Sequence, residues 1–151
     1  MCKGYSLLEG IDFEETYAPV AQLEAIKMFL ALSGHKNFKL YQMDVNFAFL
    51  NGKLEEVYIE QPEGFLLLEN KDYAYKLKKA LYGLKQYPRA WFSRLDSYLK
   101  QQGFKRGATE SNIYLKIEDK NMIIVVVYVD DIIFGRNLQI PSVYFSSKMK
   151  K

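Results

Sequence analysis

Cysteine and histidine are almost missing from this sequence, which contains one of each, Cys2 and His35. A structural zinc site or a disulfide framework needs several such residues, so neither is expected. A bound metal ion would therefore have oxygen ligands, which favours hard cations such as Mg²⁺ or Mn²⁺. No partner for a histidine-based catalytic centre is found near His35, and Gly34 and Lys36 place this residue in solvent just past a helix end.

Long apolar runs are also lacking. The longest, Met122–Val129, has the length of a strand and is too short to cross a bilayer. The N-terminus does not have the charged, apolar and small-residue regions of a signal peptide. These features predict a soluble, intracellular protein without a membrane partner.

The composition that remains is typical of a packed domain. The chain has 151 residues, of which 49% are hydrophobic and 15% aromatic, and this length suits one domain with a modest core. No repeat or low-complexity linker divides it. The net charge of +3 is too small to indicate nucleic-acid binding by itself.

Basic and aromatic side chains alternate between residues 75 and 91. This pattern suits a surface that follows a nucleic-acid backbone and stacks on its bases. A solvated helix or loop face with tyrosines partly in the core would give the same pattern, so both interpretations stay open. The residues are Tyr75, Lys76, Lys78, Lys79, Tyr82, Lys85, Tyr87, Arg89 and Trp91.

The spacing of apolar residues predicts an α+β fold. Helices are predicted at 22–32 and 89–102, ended by Gly34 and Gly103. Two β-branched runs, 122–129 and 132–134, are separated by two residues and predict a β-hairpin. Further strands are predicted at 39–45, 57–60, 73–77 and 113–117. The expected architecture is a mainly antiparallel sheet with helices on one face.

Three aspartates do not fit ordinary packing. Asp130 and Asp131 lie between two apolar runs, where adjacent carboxylates repel each other unless a cation is present. Asp44 stands between Met43 and Val45 at a strand end. It would lie near Asp130 and Asp131 if its strand is a neighbour of the hairpin. Three carboxylates without histidine suit a two-metal phosphoryl-transfer site. Aspartate is also common in turns, so a plain acidic hairpin tip remains the alternative.

The chain resembles the reverse transcriptases of copia-class retrotransposons. Tyr128–Asp131 matches the YxDD box of reverse transcriptases, and four further stretches match copia-class boxes in the family's order, over about residues 3–136. Those stretches are Gly10–Phe13 with Glu15–Val20, Gln42–Val45 with Ala48–Gly52, Glu60–Phe65, and Leu81–Gln86 with Pro88–Trp91.

The resemblance implies a role for each matching residue. Asp44 and Asp130 would hold two Mg²⁺ ions (or Mn²⁺), with Asp131 completing the acidic cluster. Phe49 and Gly83, with Tyr128, would contact the incoming nucleotide. Phe49 would be the steric gate against ribonucleotides, with a core aromatic as the alternative. Lys85, Pro88 and Arg89 would contact template or primer, although Lys85 and Arg89 would also suit a solvated surface.

The resemblance also implies an architecture and partners. The fold would be the fingers and palm of a reverse transcriptase, with residues of about 1–38 fingers-like and about 39–151 mostly palm, and with the thumb and ribonuclease H absent. The partners would be an RNA or DNA template with its primer, dNTPs and, in a full-length Pol polyprotein, integrase and ribonuclease H domains. The location would be cytoplasmic, in a virus-like particle, with a nuclear phase.

Two positions depart from the copia pattern. Tyr87 replaces a small residue before Pro88, and Gln22 replaces a common basic residue. The predicted function is an RNA-directed DNA polymerase domain that adds dNTPs to a primer 3′-hydroxyl. The alternatives are a truncated remnant that at most binds nucleic acid, and a plain α+β domain with an acidic hairpin tip.

Overall fold

The computed structural model describes residues 10, 19–52, 57–62, 64–65, 73–79, 81, 83–119 and 121–137. Within these ranges the predicted α+β class is confirmed. The elements in chain order are α1 (Leu23–His35), β1 (Lys39–Asp44), a short 3₁₀ helix (Ala48–Asn51), β2 (Tyr58–Ile59), β3 (Tyr75–Lys76), α2 (Tyr87–Gln101), β4 (Lys105–Arg106), β5 (Ile113–Glu118), β6 (Asn121–Tyr128) and β7 (Asp131–Arg136).

Five of the strands form one antiparallel sheet in the order β1-β7-β6-β5-β4, and β2 pairs with β3 separately. Hairpins connect β5 to β6 and β6 to β7, so these neighbours are also consecutive in the sequence. Strand β1 comes from much earlier in the chain and pairs with β7. The sheet therefore places two distant sequence segments, 39–44 and 131–136, side by side.

Both faces of the sheet are buried around β6. On one face, Ile124 and Val126 pack with Phe29 of α1. On the other face, Val125 and Val127 are fully buried, which explains why β6 is almost continuously apolar instead of alternating. The expected arrangement, with helices on one face, explains the burial of the face that carries Ile124 and Val126 but not that of the face that carries Val125 and Val127.

An aromatic pair aligns β1 with β7. Tyr41 and Phe134 are Cα partners in the ladder, and their rings stack with centroids 5.1 Å apart. The buried Arg136 lies over the Tyr41 ring at 5.1 Å and donates a hydrogen bond from Nη2 to the Tyr41 hydroxyl at 3.1 Å. A slip of one residue would move every side chain of β1 to the opposite face, so these contacts fix the pairing of the residues further along both strands.

The predicted helix ends are partly wrong. Helix α1 continues through Gly34, because Lys36 still donates its backbone N–H to the Leu32 carbonyl at 2.9 Å. The left-handed residue that ends it is Asn37, with φ 50°, and asparagine is the common alternative to glycine there. His35 is exposed, as expected, but it is the last residue of the helix and does not lie past its end. Gly103, with φ 85°, follows α2 as predicted.

The chain divides into two compact units. One includes Phe47–Asp96, and the other includes Pro19–Asn46 together with the chain from Ser97 onward. The five-stranded sheet belongs to the second unit. The predicted division into a fingers-like part and a palm near residue 38 stays a prediction. None of the helices in the described ranges has the length and apolar character needed to cross a membrane.

Candidate active site

The hairpin predicted between the two apolar runs is present. Tyr128 and Asp131 are the last paired residues of β6 and β7, so Val129 and Asp130 form a two-residue turn. The two adjacent aspartates therefore have different settings. Asp130 lies in the turn, whereas Asp131 is the first residue of a strand whose side chains alternate between the faces of the sheet.

The turn is held in an unusual backbone conformation. Val129 has φ 57°, a region that β-branched residues rarely adopt. Hydrogen bonds hold the turn on both sides: the Val129 N–H donates to the Pro19 carbonyl at 2.6 Å, and the Asp130 carbonyl accepts from the Val45 N–H at 3.1 Å. Such strain persists where surrounding contacts over-determine the backbone. The position of Asp130 is thus fixed by its neighbours in the chain and in space.

Asp44 and Asp131 are direct partners across β1 and β7. Opposite Cα atoms in an antiparallel pair are about 4.5–5.5 Å apart, and their side chains share one face. Asp44 is exposed, whereas Asp130 and Asp131 are half-buried. The amide Nε2 of Gln42 donates a hydrogen bond to Oδ1 of Asp131 at 3.1 Å. The sheet therefore brings Asp44 beside the Asp130-Asp131 pair, as the sequence predicted.

The donor chemistry of this group suits Mg²⁺ or Mn²⁺, because carboxylate oxygens from Asp44 and Asp131 face the same side of the sheet. In the part of the chain that the structure describes, no set of three acidic, histidine or cysteine side chains is close enough to hold a metal ion. Mg²⁺ sites whose coordination is completed by substrate phosphates usually have only one or two carboxylate ligands from the protein. The assignment of all three aspartates as metal ligands stays a prediction.

The segment that follows Asp44 forms the 3₁₀ helix, which is tied to α2. The Arg94 guanidinium donates a hydrogen bond to the Asn51 carbonyl at 2.6 Å. Gly52 is buried against α2, and a Cβ atom there would lie 2.9 Å from the Ala90 Cβ and 3.0 Å from the Trp91 nitrogen. Phe49 belongs to this 3₁₀ helix, but its side chain lies outside the described part, so its role as a steric gate stays a prediction.

Four of the other predicted nucleotide and template residues, Gly83, Lys85, Pro88 and Arg89, lie in the same unit as the 3₁₀ helix, whereas Tyr128, at the end of β6, lies in the other unit. Gly83 has φ 99°, a conformation that strongly favours glycine. Pro88 is in the first turn of α2, where proline is well tolerated. Lys85 is half-buried and Arg89 is exposed. Contacts of these residues with nucleic acid stay predictions.

The alternating basic and aromatic stretch is only partly a surface. Trp91 is buried in α2, so it belongs to the core and cannot stack on a base. Tyr75 is exposed in β3, where its hydroxyl donates a hydrogen bond to the Phe65 carbonyl at 3.2 Å. Lys76 lies 5.7 Å from the centre of the Tyr58 ring on the neighbouring strand. Tyr82 lies outside the described residues.

The sequence is similar to one known protein family and to several transposon proteins. Residues 1–149 match the family described as reverse transcriptase (RNA-dependent DNA polymerase). The chain is 41% identical over 133 residues to the retrovirus-related Pol polyprotein from transposon TNT 1-94 of Nicotiana tabacum, covering 87% of the chain and 10% of that protein. It is 39% identical over 138 residues to the corresponding polyprotein from transposon RE1 of Arabidopsis thaliana, covering 91% of the chain and 9% of the relative.

A putative transposon Ty5-1 protein of Saccharomyces cerevisiae is 40% identical over 92 residues, which is 60% of the chain and 30% of that protein. No solved structure matches. The chain belongs to the reverse transcriptase (RNA-dependent DNA polymerase) family, and the predicted resemblance is confirmed. It spans about one tenth of the plant Pol polyproteins that it matches.

Sequence reasoning missed the supporting residues of the site. No role was predicted for Gln42, although it precedes Asp44 by two positions and therefore shares its face of the strand. That period of two is the signal that could have found it. The bond from Arg94 to the Asn51 carbonyl and the contact of Gly52 with α2 join two sequence boxes, and no local pattern indicates such a long-range contact.

Proposed function

We propose that this chain carries the polymerising centre of an RNA-directed DNA polymerase from a retrotransposon Pol polyprotein. This proposal rests on the pairing of Asp44 with Asp131, next to Asp130, in a chain of the reverse transcriptase family. The substrates would be dNTPs and a primer annealed to an RNA or DNA template. The chain would form part of a reverse transcriptase domain acting inside the cell, in a polyprotein with integrase and ribonuclease H domains.

Each residue has a separate task in this proposal. Asp44, Asp130 and Asp131 would hold Mg²⁺ or Mn²⁺ and orient the primer end towards the incoming nucleotide. The bound cations would lower the pKa of the primer 3′-hydroxyl and neutralise charge developing on the phosphates. Phe49 would exclude the 2′-hydroxyl of a ribonucleotide. Gly83 and Tyr128 would border the nucleotide, and Lys85, Pro88 and Arg89 would contact the template or primer.

The test has two stages because the relatives are much longer than this chain. First, Mn²⁺ binding is measured on the purified chain by the EPR signal of free Mn²⁺. We expect saturable binding that weakens in Asp44→Asn and Asp131→Asn. The exposed Asp119, which lies in the β5–β6 turn and outside the acidic group, provides the matched control Asp119→Asn, in which binding should be unchanged.

Second, extension of an oligo-dT primer on poly-rA is measured with Mn²⁺. Extension that disappears in Asp130→Asn would support the polymerase assignment. Binding of primer-template and Mn²⁺ without extension would instead favour the nucleic-acid-binding remnant. If Mn²⁺ binding is the same in wild type, Asp44→Asn and Asp131→Asn, the assignment of the acidic site is wrong.

A further inference from the structure

Gln42 reaches from one strand of the acidic site to a carboxylate on the other. Its Cα partner across the ladder is Ile133, so its hydrogen bond to Oδ1 of Asp131 runs diagonally, at 3.1 Å from Nε2. Diagonal neighbours in an antiparallel pair are about 7–8 Å apart at Cα, within reach only of long side chains. Glutamine makes this contact in the structure, and asparagine, with one methylene fewer, reaches less far.

The chemical character of the donor matters as much as its reach. Asp44 and Asp131 are directly opposite, and like charges in that position destabilise a strand pair. A lysine or arginine in place of Gln42 would offset the repulsion with a charge-assisted bond about twice as strong as a neutral one. Such a cation would also compete with a metal ion for the same carboxylate. A neutral amide orients Asp131 and leaves its negative charge in place.

We propose that Gln42 is a positioning residue for the acidic site, which holds the Asp131 carboxylate through Oδ1 and leaves Oδ2 for a hard divalent cation. This inference rests on the proposed function, because it presupposes that the aspartates bind Mg²⁺ or Mn²⁺. Metal-binding carboxylates are generally hydrogen-bonded by neighbouring groups that fix their orientation, and loss of such a group typically costs about 10–100-fold in metal affinity.

The test measures the dissociation constant for Mn²⁺ by EPR on the full chain. Gln42→Met keeps the unbranched length of the side chain and removes the donor, so we expect Mn²⁺ to bind about 10–100-fold more weakly. Gln42→Asn keeps the amide but shortens its reach, and it should lose affinity to a similar extent. The control Gln101→Met makes the same exchange at an exposed position at the end of α2 and should bind Mn²⁺ like wild type.

Far-UV circular dichroism and urea denaturation of each variant separate weaker binding from loss of the fold. If Gln42→Met does not fold, the Mn²⁺ affinity of Gln42→Asn is compared with that of wild type instead. Mn²⁺ affinity within about threefold of wild type in a folded Gln42 variant would overturn the positioning role, while the weaker binding expected of Asp131→Asn would leave the proposed function intact. Equal binding by wild type and Asp131→Asn, or no saturable binding by wild type, would overturn both.

Discussion

Val129 is a β-branched residue in a left-handed backbone conformation, with φ 57°. That conformation costs roughly 1–2 kcal/mol for residues other than glycine, and asparagine tolerates it best among them. The contacts with Pro19 and Val45 hold the turn there, so the strain is part of the native state.

Replacing this valine should therefore stabilise the protein. We expect Val129→Asn to raise the free energy of unfolding by about 1 kcal/mol, because asparagine relieves the backbone strain. Urea denaturation measures the change. Val20→Asn is the matched control, since Val20 is also exposed in part and has no positive φ; it should not stabilise. Equal shifts in both variants would show that strain at Val129 is not the cause.

Phe49 provides a prediction about substrate choice. If its ring occupies the space of a ribose 2′-hydroxyl, Phe49→Val should increase ribonucleotide incorporation relative to dNTP incorporation in the primer-extension assay. Phe65→Val is the control, because Phe65 is 73% exposed and should leave the ratio unchanged. An equal loss with both substrates would mark Phe49 as a packing residue, since a cavity lowers stability whatever the substrate.

Among the elements, the 3₁₀ helix and α2 are joined at Gly52. This contact has no room for a side chain, because a Cβ would lie within 2.9–3.1 Å of Ala90 and of backbone atoms in α2. Backbone atoms of a helix cannot move aside as the end of a flexible side chain can. The glycine of the Asn51-Gly52 dipeptide is therefore required for close approach, and Asn51 adds the hydrogen bond from Arg94.

Two glycine substitutions test this contact. Gly52→Ala should destabilise the protein by about 1–3 kcal/mol through overpacking. Gly34→Ala is the control, because Gly34 is helical and nothing lies within 4 Å of its added Cβ. This substitution should stabilise the protein by about 0.4–1 kcal/mol, because alanine lowers the conformational entropy of the unfolded chain. Both are measured by urea denaturation. An unchanged free energy of unfolding in Gly52→Ala would show that the 3₁₀ helix and α2 can move apart without loss of stability.

The sequence predicted most elements of the sheet because their apolar patterns are strong. β6 and β7 follow from runs of valine and isoleucine, and Gly103 marks the end of α2. The end of α1 was placed too early because a glycine was taken as its stop. The backbone of Gly34 keeps helical hydrogen bonding, and Asn37 provides the left-handed residue instead. Local preference was overridden by the particular turn that leads into β1.

The sequence predicted that the three aspartates lie close together, but not the contacts that support this arrangement. Asp44, Asp130 and Asp131 were conspicuous because charged residues interrupt apolar strands. The register that pairs Asp44 with Asp131 depends on Tyr41, Phe134 and Arg136, whose contacts follow from strand pairing between distant segments. A buried arginine that bonds to a tyrosine has no local sequence signal. Trp91 was wrongly considered for a surface because its neighbours are basic.

The whole molecule carries only a small excess of positive charge, +3. Under the proposed function, affinity for nucleic acid would then come from particular lysines and arginines and not from the overall field. Binding through phosphate contacts releases counterions, so its equilibrium constant falls as salt increases. Lys85 and Arg89 are the predicted contacts, and α1 offers an exposed lysine, Lys27, for comparison.

The salt dependence of primer-template binding should report these contacts. We expect log K for binding of the chain to oligo-dT annealed to poly-rA to fall linearly with log salt. Lys85→Gln should reduce the steepness of this fall by about one unit. Fluorescence anisotropy over a salt series measures the slope. Lys27→Gln should leave it unchanged. A slope in Lys85→Gln equal to wild type would exclude Lys85 from the phosphate contacts.

The pairing of β1 with β7 also has a consequence for synthesis. Gln42 and Asp131 are 89 positions apart, and ribosomes add about 5–20 residues per second, so β1 leaves the ribosome roughly 4–18 s before its partner strand. During that interval β1 presents an unpaired edge, which favours association with other chains. Slower translation therefore lengthens the period in which β1, the strand that carries Asp44, can associate with other nascent copies.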